Sequence, residues 1–162
     1  MATLTLSQRQ AVKTDATVTH AATALPAPFT GTLLTAWTIG NESGICAYYN
    51  SASATSIWRS DLQFFTLLEQ IIASEEATWT TNQLLQLLVL ANLPVVNATS
   101  SLVRNLFNNI AGGTTVTNWS VAARRSATQL EALFTTASGG FFNSNVFGQI
   151  LVPEDMLAIR NS

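Results

Sequence analysis

The most regular pattern of apolar and polar positions runs from Trp119 to Gly140. Apolar residues recur there at steps of mostly three and four, at Trp119, Ala122, Ala123, Ala127, Leu130, Leu133, Phe134 and Ala137. This is the spacing of one helix face. Between them fall most of the polar side chains, Arg124, Arg125, Gln129 and Glu131. The pattern predicts one core helix with a solvated arginine pair, capped by Thr117 or Asn118 and ended by Gly139 and Gly140.

Similar patterns predict further helices. Ser7 and Gln10 have the spacing of a capping box, which predicts a helix over residues 7–22, with the alternative that it stands apart as an N-terminal arm. Other predicted helices cover residues 58–73, 82–92, 100–110 and a short final one from Pro153. The helix over 82–92 is apolar on most sides, so we expect it at the centre of the fold. The helix over 100–110 is expected to point its apolar residues inward: Leu102, Val103, Leu106, Phe107 and Ile110.

The remaining stretches have no clear helical period. Residues 33–49 mix helical spacing with Gly40 and Gly44, and residues 50–56 are small and polar, which predicts a loop. Within the C-terminal segment 141–162, an irregular stretch is expected before the final helix. Residues 146–152 in that stretch are a candidate extended segment. The chain therefore predicts a mainly α fold, a single-domain bundle of six or seven helices without alternating strands.

The low content of charged residues bears on function as well as on fold. Charged residues make up 10% of the 162 residues, against about 25% in an average soluble domain. So little surface charge favours a protein that lives packed against copies or partners. The net charge of −2 argues against specific nucleic-acid binding, which needs a basic face. The single cysteine, Cys46, allows no intrachain disulfide and fits assembly in a reducing cytoplasm.

Candidate chemistry adds little. The single histidine, His20, lies in a plain Ala/Thr context, and no cluster of His, Cys or carboxylates has metal-ligand spacing. Glu42 and Asp61 are conceivable as a glycosidase pair, which keeps a small lytic enzyme as an alternative of another class. The most apolar run, residues 84–96, is too short to span a bilayer. We expect no signal peptide, catalytic residue, cofactor or metal.

Four segments, taken in order, resemble a known family. They are TLSQRQAVKTD, ICAYYNSASATSIWRSDL, then LVRNLFNNIAGG with ARRSATQLEALFTTASGG, and finally FGQILVPEDMLAIRNS. Together they resemble small proteins encoded in the structural modules of tailed bacteriophages and prophages. One departure is Gln129, which stands where the family has an arginine.

The resemblance implies a non-enzymatic structural component of a virion that is assembled in the cytoplasm of a host bacterium. A small helical protein suits the head–tail junction, as a neck, connector or adaptor protein. Its partners would be copies of itself in a symmetric ring, and portal or tail components. A tail, baseplate or capsid-decoration protein is the alternative. Since arginine and tryptophan dominate interface energetics, the predicted interface residues are Trp58, Arg59, Arg104, Arg124 and Arg125.

Overall fold

The protein is mainly α-helical in a computed structural model that describes residues 4–135, 146 and 148–162. These residues form ten α-helices, one π-helix and two β-strands. The mainly α class is confirmed, while the count of six or seven helices is not, because several helices are very short. Contacts group the chain into two compact units, Met1–Thr55 with Ser126–Ser162 (unit 1) and Ser56–Arg125 (unit 2). The single domain stays a prediction.

A two-stranded sheet forms where a loop and a helix were expected. Strand β1 covers Ala52–Trp58, strand β2 covers Arg124–Thr128, and the two pair with each other. The predicted continuous helix from Trp119 is therefore wrong, and so is the predicted loop over residues 50–56. β2 separates two helices instead, Gly113–Ala122 before it and Gln129–Leu133 after it. The expected glycine end at Gly139 and Gly140, and residues 141–145 of the irregular stretch, lie outside the described residues.

Unit 1 contains six helical segments. They are α1 (Leu6–Thr14), the π-helix (Asp15–Thr19), α2 (Leu33–Ile39), α3 (Glu42–Asn50), α9 (Gln129–Leu133) and α10 (Pro153–Arg160). The N-terminal helix begins earlier than predicted, because its capping box is formed by Thr5 and Gln8. The final helix begins at Pro153 as predicted. Residues 148–152 before it have irregular backbone and form no strand.

Long-range hydrogen bonds hold the two ends of unit 1 together. The Lys13 ammonium donates to the carbonyls of Arg160 and Ser162 at 3.0 and 2.9 Å, so α1 lies against α10 rather than standing apart as an arm. Asn50 pairs with the backbone of Leu151 in both directions. Its Nδ2 donates to the carbonyl at 2.8 Å and its Oδ1 accepts from the amide at 2.9 Å. This pair fixes the irregular segment before α10 to the end of α3.

Unit 2 contains α4 (Phe64–Leu68), α5 (Ala73–Glu76), α6 (Thr81–Ala91), α7 (Ser101–Ile110) and α8 (Gly113–Ala122). The predicted continuous helix over 58–73 is wrong: within it α4 is helical, while Arg59 and Leu62 form backbone hydrogen bonds to distant segments. The Arg59 amide donates to the carbonyl of Ala123 at 2.8 Å, and the Val96 amide donates to the carbonyl of Leu62 at 2.8 Å.

The core of unit 2 surrounds the fully buried Trp119. Its indole N–H donates to the carbonyl of Leu67 at 2.8 Å. Its ring meets Phe107 and Trp79 edge to face, with ring centroids 5.5 and 6.1 Å away. The tryptophan therefore joins α4, α7 and α8, and it satisfies its polar atom in doing so.

Candidate functional site

Two of the predicted interface arginines lie over the ring of Trp58 in unit 2. The guanidinium carbons of Arg104 and Arg124 are 5.2 and 4.2 Å from the ring centroid, within the range of cation–π attraction. Trp58 ends β1 and Arg124 begins β2, so the strand pairing brings them together. Arg104 comes from α7, and its Nη1 donates to the carbonyls of Ala98 and Thr99 at 2.8 and 2.6 Å.

Trp58 belongs to the core of unit 2. Only 9% of it is exposed, so its ring contacts the chain's own arginines and not solvent. Arg124, by contrast, is exposed. The ring of Trp58 is therefore a platform for Arg104 and Arg124, and its interface role stays a prediction.

The other two predicted arginines lie around Asp61. Arg59 Nε donates to Asp61 Oδ1 at 3.1 Å. Hydrogen bonding from Arg59 lowers the pKa of Asp61 below its ordinary value, and the charge of Arg125 acts in the same direction. Asp61 is largely exposed, so this ion pair contributes little stability. Its effect is to orient the Arg59 guanidinium.

The structure thus brings all five predicted interface residues into one region of unit 2. We call Arg59, Arg104, Arg124 and Arg125 the arginine patch. They are all the basic residues that the sequence has between positions 56 and 125. Planar guanidinium groups held at fixed positions favour bidentate contact with carboxylates. The patch is therefore suited to an acidic group on another protein.

A second surface of unit 2 is apolar, and the sequence analysis missed it. Four consecutive outward positions of α6 are aliphatic: Leu84 (43% exposed), Leu85 (57%), Leu88 (57%) and Val89 (56%). We call these four residues the α6 face. The prediction that this helix is central is wrong, and the inward position predicted for Leu102 is wrong as well, since Leu102 is 70% exposed.

The side of α6 that packs on unit 2 carries glutamines as well as leucines. Leu90 is fully buried and Leu87 packs against the core. Gln83 closes a capping box with Thr80, and its Nε2 donates to the carbonyl of Ile110 at 3.0 Å. The Oε1 atom of Gln86 is buried without a hydrogen-bond partner in the described part of the chain. The helix therefore has two glutamine amides beside its inward leucines and four aliphatic side chains facing outward, unlike a surface helix with a polar outer face.

One signal in the sequence could have revealed this reversal. Gln83, Gln86, Leu87 and Leu90 follow the helical i, i+3, i+4, i+7 spacing. Gln83 is the first of these four residues, and its capping box with Thr80 holds its side chain at the start of the helix. If Gln83 faces the protein, then the remaining leucines must face away from it. Leucines occur on both sides of this helix, so apolar spacing alone does not tell which side packs against the core.

Unit 1 holds a separate polar cluster at the π-helix. Asp15 is buried, and its carboxylate oxygens lie 2.6 Å from His20 Nδ1 and 2.9 Å from the Tyr49 hydroxyl. Burial, and then the charge of Asp15, raise the pKa of Tyr49 far above its ordinary value. A cavity of about 710 Å³ lies beside the cluster, lined partly by Ser53, Thr55 and His20.

The polar cluster lacks the contacts of a nucleophilic site. Activation of a nucleophile requires a hydrogen bond between the nucleophile and a base. Among the described residues, His20 makes no such bond to the side chain of a serine, threonine or cysteine. Within the cluster, His20 and Tyr49 satisfy the buried Asp15 carboxylate, and the hydrogen bond from Tyr49 joins the π-helix to α3.

The single cysteine of the sequence, Cys46, is buried. Burial raises the pKa of the Cys46 thiol to about 12, with the charges of Asp155 and Glu42 adding to the effect. The described parts of the chain contain no group of three His, Cys, Asp or Glu residues able to hold a metal ion. None of the helices in those parts has the length and apolar character needed to span a bilayer.

Comparison of the chain with protein-family models, with curated proteins and with solved structures finds no match. The fold and the two surfaces described above define the class of protein. It is a mainly α-helical protein whose second unit carries an arginine patch and an outward-facing apolar helix.

Proposed function

We propose that this chain is a structural component of a tailed-phage virion, at the head–tail junction, and that it acts by protein–protein assembly. The observation that carries the proposal is the α6 face. Leu84, Leu85, Leu88 and Val89 point outward while Gln83 and Gln86 point inward. A helix with this arrangement presents an apolar surface that contact with another protein would cover.

The energetics of the α6 face favour contact with a partner. Fully burying a leucine or valine is worth about 1.5–3 kcal/mol, and these four side chains are each roughly half exposed. Covering them would therefore gain about 3–6 kcal/mol before the cost of association. That cost is several kcal/mol, so the face supports an assembly in which several contacts act together. Repeated contacts around a symmetric ring have this property.

The arginine patch would give such an assembly its specificity. Apolar contacts have no direction, whereas charged groups that must meet an opposite charge fix register and orientation. Arg124 is exposed, and its guanidinium is already held by the ring of Trp58. Contact with an acidic group of a portal or tail component, or of a neighbouring copy, would need little further ordering of that side chain.

The virion assignment itself is supported by the resemblance of the four segments quoted above. Several matched residues have structural roles in this chain, among them Lys13, Asn50, Trp58 and Glu131. The low charge of the whole chain points the same way. A tail, baseplate or capsid-decoration protein is the alternative within this class, and the same two surfaces would serve it.

A lytic enzyme is the less favoured alternative. Such an enzyme needs a carboxyl group whose pKa is raised in an apolar pocket. Of the conceivable pair, Asp61 has its pKa lowered by hydrogen bonding from Arg59, which is the opposite direction. Glu42 forms an ion pair with Arg160 at 2.8 Å. We therefore propose that the protein acts without catalysing a reaction.

Peptide mapping of purified phage particles from the bacterium that encodes this chain tests the proposal. Particles are purified on a density gradient, and the amount of this chain is measured relative to the major shell protein. A small fixed copy number, together with antibody labelling at the neck, is expected. A copy number close to that of the shell protein would indicate decoration instead. Absence from the particles, with the chain present in the lysate, would overturn the structural role.

A further inference from the structure

The α6 face lies in a part of the sequence that has no charged residue. Every position from Ala77 to Val103 is uncharged, so neither α6 nor the loops on either side of it offers a charge to a partner. A partner that carried charges opposite this face would have to bury them unpaired, which is strongly unfavourable. The occupant of the face must therefore be apolar and uncharged as well.

The chain itself supplies a surface of this kind. We propose that α6 of one copy packs against α6 of a second copy. This inference rests on the proposed assembly role and names the partner for that surface. Leu84 and Leu88 form one ridge along the helix and Leu85 and Val89 form a second, each with i, i+4 spacing. Two such ridges leave a groove between them, into which a ridge of the second helix fits.

The contact is two-fold, and it is small. When the same patch serves both partners, the contact closes at two copies, so a larger ring needs a second and different contact. The 11 residues of α6 span roughly 16 Å, and they are fewer than the roughly 20–30 residues that each partner contributes to a stable interface. We therefore expect a dimer that dissociates in the micromolar range or above.

A charge-exchange experiment on the full chain tests this contact. Sedimentation velocity follows the purified protein from about 1 µM to about 1 mM, a range that brackets weak dimers. The variants are Leu88→Glu and Leu88→Lys. The matched control is Leu157→Glu, which changes an exposed leucine of α10 in unit 1 (68% exposed, against 57% for Leu88).

The wild type and Leu157→Glu are expected to pass from monomer to dimer as concentration rises. Each Leu88 variant alone is expected to stay monomeric, because the small apolar contact would then have to bury two like charges. An equimolar mixture of Leu88→Glu and Leu88→Lys is expected to dimerise again, because opposite charges meet.

Three results would overturn the proposal. They are a wild type that stays monomeric throughout, a dimer that Leu88→Glu leaves unchanged, and a mixture of the two variants that does not recover. The last result would mean that α6 meets some other surface. If circular dichroism finds a charged variant unfolded, crosslinking of Leu88→Cys with a short thiol-specific reagent decides between the same outcomes. None of these results depends on particle incorporation, so the proposed virion role can fail or hold separately.

Discussion

At the residue scale, Gly113 at the start of α8 is constrained both by its backbone and by a neighbouring side chain. Its φ is +53°, and a Cβ built there would lie 2.6 Å from Glu75 Oε1. That carboxylate accepts hydrogen bonds from the amides of Thr114 and Thr115 at 2.8 and 2.9 Å. Glycine is thus required twice, for the left-handed backbone and for the approach of the carboxylate.

Alanine at Gly113 is expected to destabilise the protein more than alanine at Gly40. Gly40 ends α2 with a φ of +74°, but a Cβ there would meet nothing within 4 Å. Gly40→Ala should therefore cost only the left-handed strain, about 1–2 kcal/mol. Gly113→Ala adds the displacement of the Glu75 carboxylate. Urea denaturation of both variants measures the difference, and equal losses would show that Glu75 does not depend on this glycine.

The Cys46 thiol is expected to be unreactive in the folded protein. Its pKa is raised to about 12 from 9.0, and the thiolate is the reactive form. At mildly alkaline pH a coloured disulfide reagent should label Cys46 far more slowly in buffer than in denaturant. Because the unfolded chain loses this proton first, stability should also fall as pH rises from about 9 to about 12. Equal labelling rates in buffer and in denaturant would contradict the burial of Cys46.

Residue type and resemblance predict five interface residues, and of these Arg124 is exposed on unit 2 while Trp58 is buried. The sequence could not reveal the burial of Trp58, because that depends on Arg104 and Arg124 covering it. Those contacts join residues far apart in the chain through β1, β2 and α7. Local spacing carries no information on such a meeting.

At the element scale, α8 depends on a distant residue for its N-terminal cap. Gly112 has no side chain to accept the free amides of the first turn, and Glu75 takes over that function. Hydrogen bonds from Thr115 and Thr114 lower the pKa of Glu75 below its ordinary value. The stabilisation is therefore present above the ordinary glutamate pKa, and it is lost as pH falls through the lowered value.

Replacing Glu75 by glutamine is expected to lower the thermal stability at neutral pH. The difference from wild type should shrink on acidification below a pH of about 4.5, since the wild-type carboxylate is then protonated. Glu76→Gln, which changes the exposed neighbour, is the matched control and should have little effect. Thermal unfolding followed by circular dichroism at neutral and acid pH measures this. A constant difference across pH would mean that the charge of Glu75 is not what caps α8.

Helices with strong start signals were the most predictable elements. The helix over 82–92 and the final helix from Pro153 are present as predicted, because a capping threonine and an N-terminal proline act locally. The stretch from Trp119 failed because helical spacing continues through residues 124–128, where pairing with β1 overrides it. Glu131, which falls between the apolar positions of that pattern, is fully buried and accepts from the amide of Gly148 at 2.8 Å.

At the scale of the whole molecule, low charge and an outward apolar helix have one common explanation. A chain with 10% charged residues and four half-exposed aliphatic side chains on one helix is poorly suited to life as a monomer. The composition favours association, but it does not predict which surface would carry it. The packing of α6 against α7 determines which side of α6 is buried.

Incorporation of α6 variants into particles tests the central claim most directly. The wild type, Leu88→Glu and the control Leu157→Glu are supplied in turn to a phage from which this gene is deleted, and peptide mapping measures each chain in purified particles. Assembly through the α6 face predicts that the wild type and Leu157→Glu enter at the same fixed copy number while Leu88→Glu does not. Equal incorporation of a folded Leu88→Glu protein would contradict the account.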